Sequence, residues 1–291
     1  MLNTILDAVI QGILLGGLYG LYAAGLSLVF GIMRLVNIAH GDFIVLAAFF
    51  IIVFQKFLSI GSPFTALLVV VPLMFIFGYV LQRFVLNQVV GDDILRPVLV
   101  TFGLSVITQN GLLQAFSADS RKLNGGIIEV SSFTLPGGII VGVFPLIMLA
   151  ACLATIGALQ WMLFHTRMGV AFRATSDDSM AAGLMGVNTR HLFSIATGVV
   201  MVTVAIASVF TGIRATFYPT SGSDCLLFAF EAVIIGGLGS LWGTLLGGMI
   251  LAISQSLGSR ISPAWQLQAG HLVFLIVLLM RPQGLFPRRL D

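Results

Sequence analysis

Long apolar runs separated by short polar interruptions dominate this chain. The runs cover residues 5–30, 43–54, 64–82, 98–116, 139–164, 191–213, 228–239, 242–257 and 264–280. A helix rising ~1.5 Å per residue crosses a hydrocarbon core of ~30 Å with about 20 residues, so the pattern predicts eight full or nearly full spans and one short one, 228–239. Continuous apolar runs exclude a β-barrel, whose strands would alternate apolar and polar positions. The expected fold is an all-α integral membrane protein, one transmembrane domain over residues 1–291. Composition agrees: 58% of residues are hydrophobic and 9% charged, and the mean hydropathy is +1.08. No water-soluble domain carries such a surface without aggregating.

The interruptions carry the information. Residues 165–190, HTRMGVAFRATSDDSMAAGLMGVNTR, form the longest polar break with helix signals of its own. Ser176 reads as an N-cap, Asp177 and Asp178 as first-turn acids favoured by the helix dipole, and Gly186 with Asn188 as a stop. That predicts one short surface helix, too short to cross a bilayer. Met180 and Leu184 put an apolar knob on one side, and Arg167, Arg173 and Arg190 surround it with positive charge. Residues 117–138 are mostly polar. The turns Asn124-Gly-Gly126 and Leu135-Pro-Gly-Gly138 predict an ordered external loop holding a short hairpin.

Charge fixes an expected orientation. With the N-terminus outside, inner loops hold Arg34, Arg83, Arg96, Arg167, Arg173, Arg190, Arg281, Arg288 and Arg289, and outer loops hold Lys56, Arg121, Lys122, Arg214 and Arg260. The excess of cations inside supports that sidedness and puts residues 165–190 in the cytoplasm. Net charge of +3 reflects arginines at helix ends and gives no reason to expect nucleic acid. The first run is full length, carries Asp7 and lacks a basic leader, so a cleaved signal peptide is not expected. Cys152 and Cys225 stand far apart in apolar runs and point to neither a disulfide nor a metal site.

Two stretches echo one another. A long run (5–30) followed by an interrupted segment (31–46) is matched by a long run (192–213) followed by another (224–239), entered from the opposite side. Such inverted units predict interrupted helices that meet near the midplane and line a pathway. Asn37, Ala39, His40 and Gly41 fall in the first interruption. Glu231, Gly236, Gly237 and Gly239 fall in the second. His40 and Asp42 read as caps at a helix start, with Arg34 as counter-ion, in preference to a proton relay. Glu231, set in an apolar run, needs a partner: a substrate amino group, or Arg214 as the favoured structural choice. The glycines read equally as packing positions and as pathway lining.

Enzyme chemistry finds little support. Asp92-Asp93 and Asp177-Asp178 lack the further acidic ligands a metal-dependent transferase would need, and no HExxH, GxSxG or GxxxxGK[ST] stretch is present. No catalytic residue, metal or cofactor is expected in this chain.

The pattern Arg173-Ala-x-x-x-Asp178-x-x-x-Ala182-x-x-x-Gly186-x-Asn188 resembles the coupling-loop signature of bacterial ABC importer permeases. Gly25-Leu-Ser-Leu-Val-Phe-Gly31 into Val36-Asn-Ile-Ala-His-Gly-Asp42, Gly236-Gly-Leu-Gly-Ser240 into Gly243-Thr-Leu-Leu-Gly-Gly248, and Arg281-Pro-Gln-Gly-Leu-Phe286 are similar to the branched-chain amino acid permease subfamily, LivH-like proteins. The resemblance implies a multi-pass permease subunit in the bacterial inner (plasma) membrane that moves apolar amino acids by ATP-driven alternating access. It implies as partners a second permease subunit, identical or related, two cytoplasmic ATPase subunits that bind the ATP, and a periplasmic or extracellular solute-binding protein. Arg173, Asp178, Ala182, Gly186 and Asn188 would couple to the ATPases. A urea or short-amide permease, an ion-coupled secondary transporter and a membrane enzyme acting on lipid-linked substrates stand as alternatives.

Overall fold

A computed structural model describes residues 2–33, 35–59, 61–91, 95–134 and 138–286. Its helices are α1 (Leu2–Met33), α2 (His40–Phe57), α3 (Pro63–Phe84), α4 (Leu95–Phe116), α5 (Ile127–Val130), α6 (Val143–His165), α7 (Arg167–Asp177), α8 (Ser179–Leu184), α9 (Thr189–Arg214), α10 (Gly222–Gly236), α11 (Leu241–Ile261) and α12 (Trp265–Met280). Among the described residues seven of these, α1, α2, α3, α4, α6, α9 and α11, are long and apolar enough to span a membrane. With the 16-residue α12 they supply the eight crossings expected, and the 15-residue α10 is the short one.

The starts follow from local chemistry. Pro63 at the first turn of α3 gives up an amide that would be unpaired there. Asn188 and Ser240 accept the amides of His191 (3.0 Å) and Gly243 (3.2 Å) to open α9 and α11.

Helix α1 is the centre, because its glycines remove the side chains that would hold neighbours away. A methyl at Gly16 would come within 2.5 Å of the Met249 Cα of α11, and one at Gly17 within 2.8 Å of the Leu149 Cα of α6. Successive contacts of Gly12 with Ile253, Gly16 with Met249 and Gly20 with Leu245 run in opposite chain directions, so α1 and α11 are antiparallel. Tyr22 meets Thr211 while Gly25 meets Thr203, which makes α9 antiparallel to α1 as well.

The halves are related by inversion. Helices α1 to α4 correspond to α9 to α12: α1 packs on α11 as α9 packs on α3, α1 on α10 as α9 on α2, and α2 on α4 as α10 on α12. Buried hydrogen bonds repeat the scheme. Tyr19 of α1 donates to Gln255 of α11 (2.6 Å), and Thr197 of α9 donates to Gln82 of α3 (2.8 Å). The match is incomplete at the rim, where α12 packs on α11 but, among the described residues, α4 makes no comparable contact with α3.

The polar loops differ from expectation in detail. Strands β1 (Ser132–Thr134) and β2 (Ile140–Gly142) pair antiparallel, so the hairpin's second strand takes the first residues assigned to the following span, which starts at Val143. The Asn124-Gly-Gly126 turn is not the hairpin turn. Gly126, at φ +62°, and the Asn124 side chain, accepting its amide at 2.8 Å, lead into α5. The turn expected at Leu135-Pro-Gly, the Asp92-Asp93 pair, the Arg34 counter-ion to Asp42, and Arg288 and Arg289 lie outside the described residues.

Candidate translocation and coupling site

Helix α2 starts deep beside α1. Asn37, buried, accepts the Ala39 amide on its side-chain oxygen (3.0 Å), and its carbonyl accepts the His40 amide (3.3 Å), so the chain after α1 turns tightly into α2. The His40 ring places Nε2 3.0 Å from the Tyr22 carbonyl oxygen. A carbonyl only accepts, so the ring carries its proton on Nε2. Tyr22 lies eleven residues before the end of α1 at Met33, which is ~16 Å of helix. The break therefore folds back toward the midplane.

Helix α10 begins at the same depth. A methyl on Gly41 would fall on the Gly222 carbonyl oxygen, and one on Gly222 would fall on Asp42. The first turns of two interrupted helices thus touch backbone to backbone, one from each half of the inverted pair. Asp42 accepts from Gln109 of α4 at 2.9 Å. Among the described residues no hydrogen bond joins His40 to Asp42, and each has its own helix as partner.

Glu231 sits midway along α10, 3% exposed, with Oε1 2.5 Å from Nδ1 of His271 on α12. The partner is therefore His271 and not Arg214, a correction to the expected pairing. Its other oxygen, Oε2, is buried and has no hydrogen-bond partner among the described residues. The Asp42–Gln109 and Glu231–His271 contacts join corresponding helix pairs, α2 with α4 and α10 with α12, although the two carboxylates are not in equivalent register.

Gly236, Gly237 and Gly239 occupy another level. Gly237 (φ +107°) and Gly239 (φ +80°) turn the chain from α10 into α11 in a conformation that side chains resist. A methyl on Gly31, near the end of α1, would lie 3.2 Å from the Gly239 Cα. Residues 281–286 return to the same spot, with Leu285 and Phe286 donating to the carbonyls of Ile235 (2.9 Å) and Gly236 (3.0 Å). The structure brings Asn37, Ala39, His40 and Gly41 together with the start of α10, and sets these three glycines at the end of the bundle.

Residues 165–190 form two helices and not one. Thr166 caps α7 by accepting the Gly169 amide (3.0 Å). Asp178, not Ser176, caps α8, accepting from Met180 (2.8 Å) and Ala181 (2.9 Å). Ser176 lies inside α7, where its hydroxyl donates to the Gly31 carbonyl at 2.6 Å. Gly186, at φ +88°, ends α8 as expected of a stop, while Asn188 belongs to the next helix as the α9 cap. Ala182 is buried, and the Arg173 guanidinium stacks 4.9 Å over the Phe164 ring. The five motif residues thus shape the segment. Met180, Leu184 and Met185 form its outward apolar surface, 77%, 85% and 86% exposed.

Met185 and His271 were missed by sequence reasoning. Met185 extends the Met180–Leu184 stripe by one position. His271 is the one ionisable residue in the apolar sequence of α12, and such a residue calls for a partner.

A bundle of spanning helices in two inverted halves, with two interrupted helices meeting inside it, defines a multi-pass membrane protein of transporter architecture. Residues 8–281 match the family model described as branched-chain amino acid transport system / permease component, and the chain belongs to that family. It is similar to the high-affinity branched-chain amino acid transport system permease protein BraD of Pseudomonas aeruginosa, 25% identical over 301 residues and covering 97% of this chain and 96% of the relative. The LivH protein of Escherichia coli K12 is 27% identical over 304 residues, again covering 97% and 96%. A probable branched-chain amino acid permease of Methanocaldococcus jannaschii is 26% identical over 266 residues, covering 84% of this chain and 78% of the relative. No solved structure gives a significant match.

Proposed function

We propose that this chain is the membrane-embedded subunit of an ABC importer that carries branched-chain or other apolar amino acids across the bacterial inner membrane. Two permease chains, identical or related, line the route. A solute-binding protein delivers substrate at the outer face, and two ATPase subunits bind and hydrolyse ATP at the inner face. The chain itself holds no ATP and performs no catalysis.

The observation that carries this reading is the α8 surface. Three large apolar side chains stand exposed on a short polar segment fixed by caps at both ends, which is how a docking knob is built. The Ser176–Gly31 hydrogen bond ties that segment to the end of α1, immediately before the break that leads to α2. Movement of docked ATPases then reaches the Gly41–Gly222 crossing through α1, and parting or closing of that crossing gives alternating access. Residues 165–190 lie in the cytoplasm and residues 117–138 outside, the sidedness that loop charges support.

The test is ATP-driven uptake of leucine by the assembled importer in membrane vesicles. Leu184→Asp/Met185→Asp is expected to abolish uptake while the chain still inserts and purifies as a folded bundle. Full uptake by this variant overturns docking at α8.

A further inference from the structure

A second feature of the molecule points to the ligand. On the side of the α2–α10 crossing away from α8, between the middle of α1, the end of α9 and the start of α10, lies a cavity of about 210 Å³. Leu15, Leu18, Tyr19 and Phe228 supply an apolar wall, with the Tyr19 and Phe228 rings stacked at 4.8 Å. Among the lining tyrosines, the Tyr19 hydroxyl is engaged with Gln255 and that of Tyr22 with Thr211. Two charges also line it, Arg214 and Asp224. Both are exposed, and among the described residues neither forms an ion pair or a hydrogen bond through its side chain.

One cation and one anion, both uncommitted, beside an apolar wall form a complement to a zwitterion with an apolar side chain. Size agrees. A cavity of ~150 Å³ accepts benzene, so in proportion about 210 Å³ accepts roughly eight or nine non-hydrogen atoms, as in valine and leucine. Urea, with about half as many, would leave about half of it empty.

We propose that this cavity is a zwitterion-binding site for apolar α-amino acids, in which Arg214 holds the carboxylate, Asp224 the ammonium group, and Leu15, Leu18, Tyr19 and Phe228 the side chain. A guanidinium fork suits a planar carboxylate, and a carboxylate accepts from an ammonium group. The proposal deepens the functional reading above and rests on it for the direction of transport. Binding itself requires neither ATP nor partner subunits, so it is tested separately.

Saturation-transfer NMR on the full chain in lipid nanodiscs detects weak ligands directly. The probes are leucine, isoamylamine, which lacks the carboxylate, 4-methylpentanoate, which lacks the ammonium group, and urea. Leucine is expected to give a signal at least fivefold above each of the other three. Arg214→Gln and Asp224→Asn are each expected to reduce the leucine signal at least fivefold, and Arg214→Lys to keep part of it, with unchanged thermal melting showing that the fold is intact. Equal signals from leucine and isoamylamine, or an undiminished leucine signal in both neutral variants, overturns the site. Loss of uptake in the α8 variant with leucine binding retained would leave this site standing, and leucine binding absent from a chain that still transports would remove it alone.

Discussion

The crossing of α2 and α10 lends itself to a quantitative test through Gly41→Ala. The new methyl would clash with the Gly222 carbonyl oxygen and lie 2.8 Å from the Leu226 amide nitrogen. Both neighbours are backbone, so no rotamer change makes room, and relief requires the two helices to separate. Overpacking of this kind costs about 1–3 kcal/mol. Gly103 in α4 is the control, because a methyl there meets nothing within 4 Å among the described residues, and alanine in a helix interior gains up to about 1 kcal/mol over glycine. Unfolding by SDS titration in mixed micelles should therefore show Gly41→Ala destabilised and Gly103→Ala unchanged or stabilised. Gly222→Ala should resemble Gly41→Ala, and the double variant should cost less than the sum, since either methyl alone already parts the helices. Equal stability of Gly41→Ala and Gly103→Ala, or strict additivity of Gly41→Ala and Gly222→Ala, would refute the close crossing.

Other outcomes follow from the remaining contacts. Asp178→Ala removes both acceptors at the start of α8 and should cost about 0.5–2 kcal/mol locally, seen as faster hydrogen exchange at Met180 and Ala181 with the spanning helices unaffected. Glu231→Gln should destabilise by about 1–3 kcal/mol, less than a fully buried ion pair because His271 is partly exposed, while Glu231→Leu/His271→Leu should recover most of the loss in the same SDS titration. In the polar loop, the Lys122 ammonium (2.6 Å) and the Gly125 amide (3.1 Å) hold the Glu129 carboxyl below its ordinary 4.5. A depressed acid stabilises above its unfolded pKa and loses that contribution as pH falls through the folded one. Exchange protection of the Gly125 amide should accordingly fall below about pH 4.5, and Lys122→Ala should shift that loss to higher pH.

The spans were legible because continuous apolar runs leave the chain no other way to satisfy its backbone in lipid. Pairing of the interrupted segments was legible too, since similar units of opposite direction bring their breaks together. What escaped depended on contacts distant in sequence. Ser176 and Asp178 are equally good caps by residue type, and the choice fell to Asp178 because the Ser176 hydroxyl is drawn to the Gly31 carbonyl, 145 residues away. Glu231 was matched with Arg214 because that is the nearer cation, whereas α12 folds back on α10 and brings up His271. Gly237 and Gly239 show their function in positive φ values that composition does not display.

Whether an external motor grips the chain at α8 can be read from one labelling experiment. Cys152 and Cys225 are buried, so a cysteine placed by Leu184→Cys is the principal target for a membrane-impermeant maleimide. It should react in inverted vesicles, stay unreactive in right-side-out vesicles, and be shielded once the ATPase subunits are bound. Reaction from the outer face, or undiminished reaction with the ATPases in place, would contradict an importer driven through this segment.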